Sequence, residues 1–279
     1  ERRLPTLIEQ LRQEELVEVA ERDGLYRTTG WFSYEPDDPL YQHQWHMDQI
    51  SMPEAWRLNR GRGVVVAVID TGVAYADIGD DYRQVPDLEN TRFVEGYDFV
   101  DNDDQPFDEH GHGTHVAGTI AQSTNNAVGV AGVAFEARIM PLRVLNKQGY
   151  GSYGDIADSI RYAADNGADV INMSLGGPIP SLGIWRAVRY ARSKGVVVVA
   201  AAGNTGRRGV QFPGALSQVI GVSATRYDEQ ITYYSSYGPQ IDVAAPGGDT
   251  RVDQNGDGMA DGVLQNTLDP RDKSNKTVY

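Results

Sequence analysis

From residue 64 onward the chain repeats one pattern: a short, continuous run of β-branched and apolar residues, then a longer stretch with apolar side chains every three or four positions. A run that is apolar on both sides must be buried on both faces, and such strands belong to parallel sheets covered by helices. Five runs qualify, at 64–69, 138–145, 170–174, 196–202 and 219–224. Their alternation with helical patterns predicts an α/β fold with a mostly parallel central sheet and helices on both faces. Ser152 to Asp155 reads as a helix cap, with Ile156, Ile160 and Ala163 on one face and Gly167 as the stop. Ile184, Val188 and Ala191 lead in the same way to Gly195. Ligand sites in such sheets lie at the carboxyl ends of the strands. Asp70, Ser174 and Asn204 each stand at or just past such an end.

The 279 residues, 40% hydrophobic, suffice to bury a sizeable core. A formal charge of -14 argues against a nucleic-acid partner, which needs clustered Lys and Arg. Between Asp77 and Glu109, twelve acidic residues face only Arg83 and Arg92. That stretch is either a solvated face or a cation-binding region, because dense carboxylates repel unless hydrated or bridged by metal. Metal is the expectation for part of it. There is no cysteine, hence no disulfide or thiol nucleophile, and no apolar run approaches the ~18 residues of a membrane span. Leu4, Leu7, Ile8 and Leu11 have helical spacing, 16–19 reads as a short strand, and the polar, Pro-bearing 27–39 reads as a linker. A boundary is expected between Tyr26 and Asp38.

Chemistry concentrates in His-Gly-His-Gly-Thr-His-Val-Ala-Gly-Thr, 110–119, downstream of the strand that ends in Asp70. An imidazole that exchanges protons near neutral pH, with a buried carboxylate to hold its tautomer, makes two members of a hydrolytic triad. Taken singly, Asp70 could be a turn former, Asn204 a loop former, and His110, His112 and His115 a zinc cluster. A zinc site recruits further ligands, and the other histidines, His43 and His46, lie far upstream. His115 falls one turn past His112 and reads as packed within the helix.

Seven motifs in order, VIDTGV (68–73), HGTHVAGT (112–119), NNAVGVAGVA (125–134), INMSLGG (171–177), AAAGN (200–204), YYSSYGP (233–239) and DVAAPG (242–247), resemble the subtilisin-like serine proteases, above all the calcium-rich, thermitase-like type. The resemblance implies a subtilisin-like three-layer fold for 36–279 and a secreted, calcium-stabilised hydrolase made as a zymogen. Within it His112 is general base and acid, Asp70 the orienting carboxylate and Asn204 the oxyanion donor. The backbones of Gly149, Tyr150 and Gly151 and of Ser174, Leu175 and Gly176 would flank an extended peptide or protein substrate. Residues 1–35 resemble the rear part of the family's α+β inhibitory propeptide, with 27–34 expected to approach the cleft like a bound product. The family's nucleophile stretch, Gly-Thr-Ser-Met-Ala-x-Pro, does not occur, and Ser235 and Ser236 fall in a motif used structurally. The serine is therefore expected beyond Tyr279 or on a companion chain; a catalytically inactive peptide-binding module is the alternative.

Spacing alone points to one calcium loop. Asp253, Asn255, Asp257 and Asp261 occupy positions 1, 3, 5 and 9 with Gly258 at position 6, while Leu264 at position 12 is not the Glu of an EF-hand; a plain Asx-rich turn is the alternative. The resemblance implies two further calcium sites: one at Asp98, Asp101 and Asp103, where Phe107 replaces a polar ligand, and one at Asp38, Asp87 and Asn126.

Overall fold

Val65–Asp70 (β1) is buried along its whole length because its neighbours cover both faces. Val65, Ala67 and Ile69 enter one core and Val66 and Val68 another, the two-residue period of a strand sandwiched between layers. The computed structural model describes residues 34–79, 82–269 and 277–279. The propeptide-like segment, but for its last two residues, lies outside them.

Short helices Trp45–Gln49 (α1) and Met52–Ala55 (α2) precede β1. Two-residue strands Arg92–Phe93 (β2) and Tyr97–Asp98 (β3) follow, then His112–Ala121 (α3), Arg138–Arg143 (β4), Tyr153–Asp165 (α4), Val170–Met173 (β5), Leu182–Ser193 (α5), Val197–Ala201 (β6), Ile220–Thr225 (β7) and Val243–Pro246 (β8). The sheet runs β2-β4-β1-β5-β6-β7-β8, with β3 also on β4, and its pairings are parallel. A separate antiparallel pair joins Thr267–Leu268 (β9) to Thr277–Val278 (β10). Because β1 pairs with β4 on one side and β5 on the other, the strand order reverses at β1 while the strands stay parallel, and a crevice opens beyond its carboxyl end.

The helices α4 and α5 cover one face, burying Ile156, Ile160, Ala163, Ile184, Val188 and Ala191. Their starts are set by Ser152 Oγ, which accepts from Asp155 N at 3.0 Å, and by Ser181 Oγ, which accepts from Ile184 N at 3.3 Å. Gly167 and Gly195 follow the helix ends in left-handed backbone. Helix α3 lies on the opposite face, with Ala117 and Ala121 against Val68 and Ile139.

All five expected strands form, within a residue or two of the bounds read from sequence. The other three strands of this sheet do not stand out as runs. β2 and β3 fall in the acidic stretch, and β8 is short and ends in Pro246, which suits a sheet edge where a missing N–H costs nothing. Tyr34, expected near the cleft, packs elsewhere: its ring stacks on Phe135 and meets Trp56 edge-on, with the Arg60 guanidinium above it. Among the described residues no helix is long and apolar enough to cross a membrane.

Candidate active site

β1 delivers the Asp70 carboxylate, wholly buried, to the crevice. Its backbone is held by Val144 N and Leu145 N, which both donate to Asp70 O, at 2.9 and 3.1 Å. Asp70 Oδ1 accepts from Thr71 N at 2.8 Å and lies 2.6 Å from His112 Nδ1. That hydrogen bond, aided by the charge of Asp70, holds the His112 imidazole above its usual pKa although burial pulls it down. With Nδ1 committed, Nε2 is the nitrogen left to exchange protons, and a side chain 44% exposed keeps it within reach of a reactant.

The placement of His112 depends on a residue not singled out in the sequence. Asp108 is buried and takes five bonds: its Oδ1 accepts from Thr71 Oγ1, His110 N and Gly111 N, and its Oδ2 from Thr114 N and Thr114 Oγ1. It thereby closes the loop entering α3 and gives that helix's first amides an anionic partner. Gly113 N donates to Thr71 Oγ1 at 2.8 Å. A Cβ on Gly113 would lie 2.2 Å from Gly72 O and 3.1 Å from Asp70 Cβ, so only glycine lets α3 come this close to β1.

Gly149, Tyr150 and Gly151 face Ser174, Leu175 and Gly176 across a cavity of about 370 Å³ whose wall includes His112. Both segments follow sheet strands, β4 and β5, at their carboxyl ends. A second, more apolar trough of about 440 Å³ starts at His112 and runs over β6 to β8, past Val116, Val199, Val222 and Ala245. Asn204, exposed just after β6, lines it together with Ser174. Asp70, His112, Asn204 and both backbone segments thus meet at one end of the sheet. Ser235 and Ser236 are buried and occupied: Ser235 Oγ accepts from Ala224 N, and Ser236 Oγ from Thr205 N. The three histidines do not converge on a metal, since His112 Nδ1 is bound to Asp70 and His115 Nε2 lies 3.0 Å from Val263 O.

The family model described as the subtilase family matches residues 61–278. The chain belongs to the subtilase family of subtilisin-like serine endopeptidases. It is 44% identical to thermitase of Thermoactinomyces vulgaris over 77% of this chain and 74% of that protein. It is 43% identical to a thermophilic serine proteinase of Bacillus sp. strain AK1 over 87% of this chain, and it spans 58% of that relative's length. A solved protease structure from Pseudoalteromonas arctica superposes with a TM-score of 0.68 at 39% identity, covering 76% of this chain and 72% of that one.

Within this subtilase, the three expected cation sites differ in character. Among the described residues no three His, Asp or Glu side chains converge as a ready metal cage. Asp38 and Asp87 are nonetheless buried side by side, with Asn126 Nδ2 donating to Asp87 Oδ1 and Asn126 N to Asp38 Oδ1. Burial pushes the Asp38 carboxyl up and that of Asp87 up to about 6. Among the described residues no cationic side chain pairs with either, so the donor set fits a divalent ion, which would relieve their repulsion. In the 253–261 loop, Asp253 accepts from Gly256 N and Gly258 N, and Asp257 Oδ2 meets His43 Nδ1 at 2.9 Å. Asp261 accepts from Gln254 N through one oxygen and buries the other without a partner, which also fits a cation.

The third set does not fit. Asp98 and Asp101 turn their carboxylates to Arg143, and Asp103 Oδ1 accepts from Gln105 N at 2.9 Å. Phe107 is buried against Tyr75 and Tyr82, far from a ligand's surroundings. The sequence did carry a signal for this, because an arginine inside the apolar run 138–145 needs acidic partners to be buried.

Proposed function

We propose that this chain carries the acid–base half of a calcium-stabilised Asp-His-Ser endopeptidase. The observation that carries the reading is the 2.6 Å contact between His112 Nδ1 and a carboxylate with no exposed surface, opening onto a cleft flanked by two backbone segments. An extended peptide lies between Gly149–Gly151 and Ser174–Gly176, pairing with both as an added strand. The nucleophilic serine comes from a segment outside the 279 residues that covers the apolar trough over β6 to β8 and sets its hydroxyl beside His112 Nε2. His112 takes the hydroxyl proton as the serine attacks the carbonyl carbon, then returns it to the leaving amine. Asn204 donates its side-chain amide to the oxyanion formed in between.

Calcium supplies fixed positive charge at two places, where Asp38, Asp87 and Asn126 and where Asp253, Asn255, Asp257 and Asp261 would hold it, and it stabilises the fold rather than reacting. Residues 1–35 act as an inhibitory propeptide, and the protein is secreted as a zymogen.

Fluorophosphonate labelling of the full-length protein tests the triad. The expected result is one labelled serine in the native protein and none in His112→Ala. A folded, processed protein that takes no label is instead the inactive peptide-binding module.

A further inference from the structure

We infer that the guanidinium of Arg143 stands where thermitase-like relatives would be expected to hold a metal ion, so that the loop 98–109 closes without calcium. Arg143 ends β4 with its side chain only 4% exposed. Its Nη1 donates to Asp98 Oδ2 at 2.7 Å and to Asp101 Oδ2 at 2.6 Å, and its Nη2 to Glu109 Oε2 at 2.5 Å. One delocalised cation thus bridges three carboxylates drawn from both ends of the acidic loop, the task a divalent ion would otherwise perform.

The buried member of the acidic set is already committed. Asp98 Oδ1 accepts from Val100 N at 2.7 Å and Asp101 N at 3.0 Å, so both oxygens of that buried carboxylate are engaged. The backbone closes the loop by itself, Asp98 N donating to Asp103 O and Asp103 N to Asp98 O. Calcium needs six to eight oxygens, and a second cation beside an enclosed guanidinium would be repelled at short range. Phe107, where the family offers a polar ligand, belongs to an aromatic cluster with Tyr75 and Tyr82.

The clamp reaches the catalytic segment. Glu109 directly precedes His110-Gly111-His112, and Arg143 is opposite Asp70 in the β1–β4 register. Arg143 therefore fastens the entry to α3 onto the strand beside the one that carries the orienting carboxylate. The inference holds whether or not the other two sites take calcium, because it concerns the change in bound ion between variants.

Calcium binding to the full-length protein, measured by equilibrium dialysis with calcium chloride as the only divalent ion, decides it. Asp98→Asn and the more exposed Asp101→Asn are expected to bind as many calcium ions as the native protein. Arg143→Gln leaves three carboxylates without a counter-charge and is expected to bind one ion more. Millimolar calcium should then raise its Tm by roughly 5 °C or more beyond the rise seen in the native protein. Loss of one bound ion in either aspartate variant overturns the inference, as does a folded Arg143→Gln with unchanged stoichiometry. Should Arg143→Gln fail to fold, the aspartate variants still decide.

Discussion

The imidazole of His112 is pulled two ways, burial favouring its neutral form and the bond to Asp70 its charged form, and the bond prevails. A base must be unprotonated to accept the serine proton, so activity is absent below the folded pKa and appears as pH rises through it. In the full-length protein the acid limb of kcat/KM should therefore have its midpoint above the ordinary histidine value of about 6.5. Asp70→Asn removes the group that raises it. The midpoint should move down and kcat/KM should fall on the order of 10⁴-fold, because the wrong tautomer faces the nucleophile. An unmoved midpoint would show that another group sets it. At this scale the sequence was readable where a motif is local, as around Asp70, His112 and Asn204, the residues proposed to react. Asp108 acts by reaching partners brought near by folding, and no periodicity marks it; Arg143 is marked by its place in an apolar run, which does not say which carboxylates it meets.

Helix α3 and strand β1 form one unit, joined by Thr71, Asp108 and Thr114 and by a close approach at Gly113. Gly113→Ala would place a methyl 2.2 Å from Gly72 O, a backbone atom that cannot swing aside. The helix must retreat, at a cost of roughly 1–3 kcal/mol. Differential scanning calorimetry should show a Tm lower by several degrees, and fluorophosphonate labelling should slow as His112 withdraws from Asp70; unchanged labelling at lowered Tm would assign Gly113 to packing alone. The buried strands were legible because continuous apolar runs have few other uses. The two-residue β2 and β3 were not, since they rest on pairing with β4 rather than on their own composition.

At the scale of the molecule, a parallel sheet with a reversal at β1 gathers residues from four strand ends into one crevice. Charge is gathered as well, and the two donor sets that fit calcium lie in loops far apart in sequence. Excess EDTA should lower the Tm of the full-length protein by roughly 5–10 °C, equivalent to saturation at about 100 times Kd, and calcium should restore it. An unchanged Tm would remove calcium from the account of stability. Apolar runs and local motifs, set by short-range covalent order, let the sequence alone determine the fold class and the family, and they single out Asp70, His112 and Asn204 as the residues proposed to react. Which carboxylates face a guanidinium and which face one another depends on the relative position of elements many residues apart. Only the tertiary structure could decide that Asp98 and Asp101 serve Arg143 while Asp38 and Asp87 remain without a cationic partner among the described residues, because electrostatic partnership is a matter of distance in space.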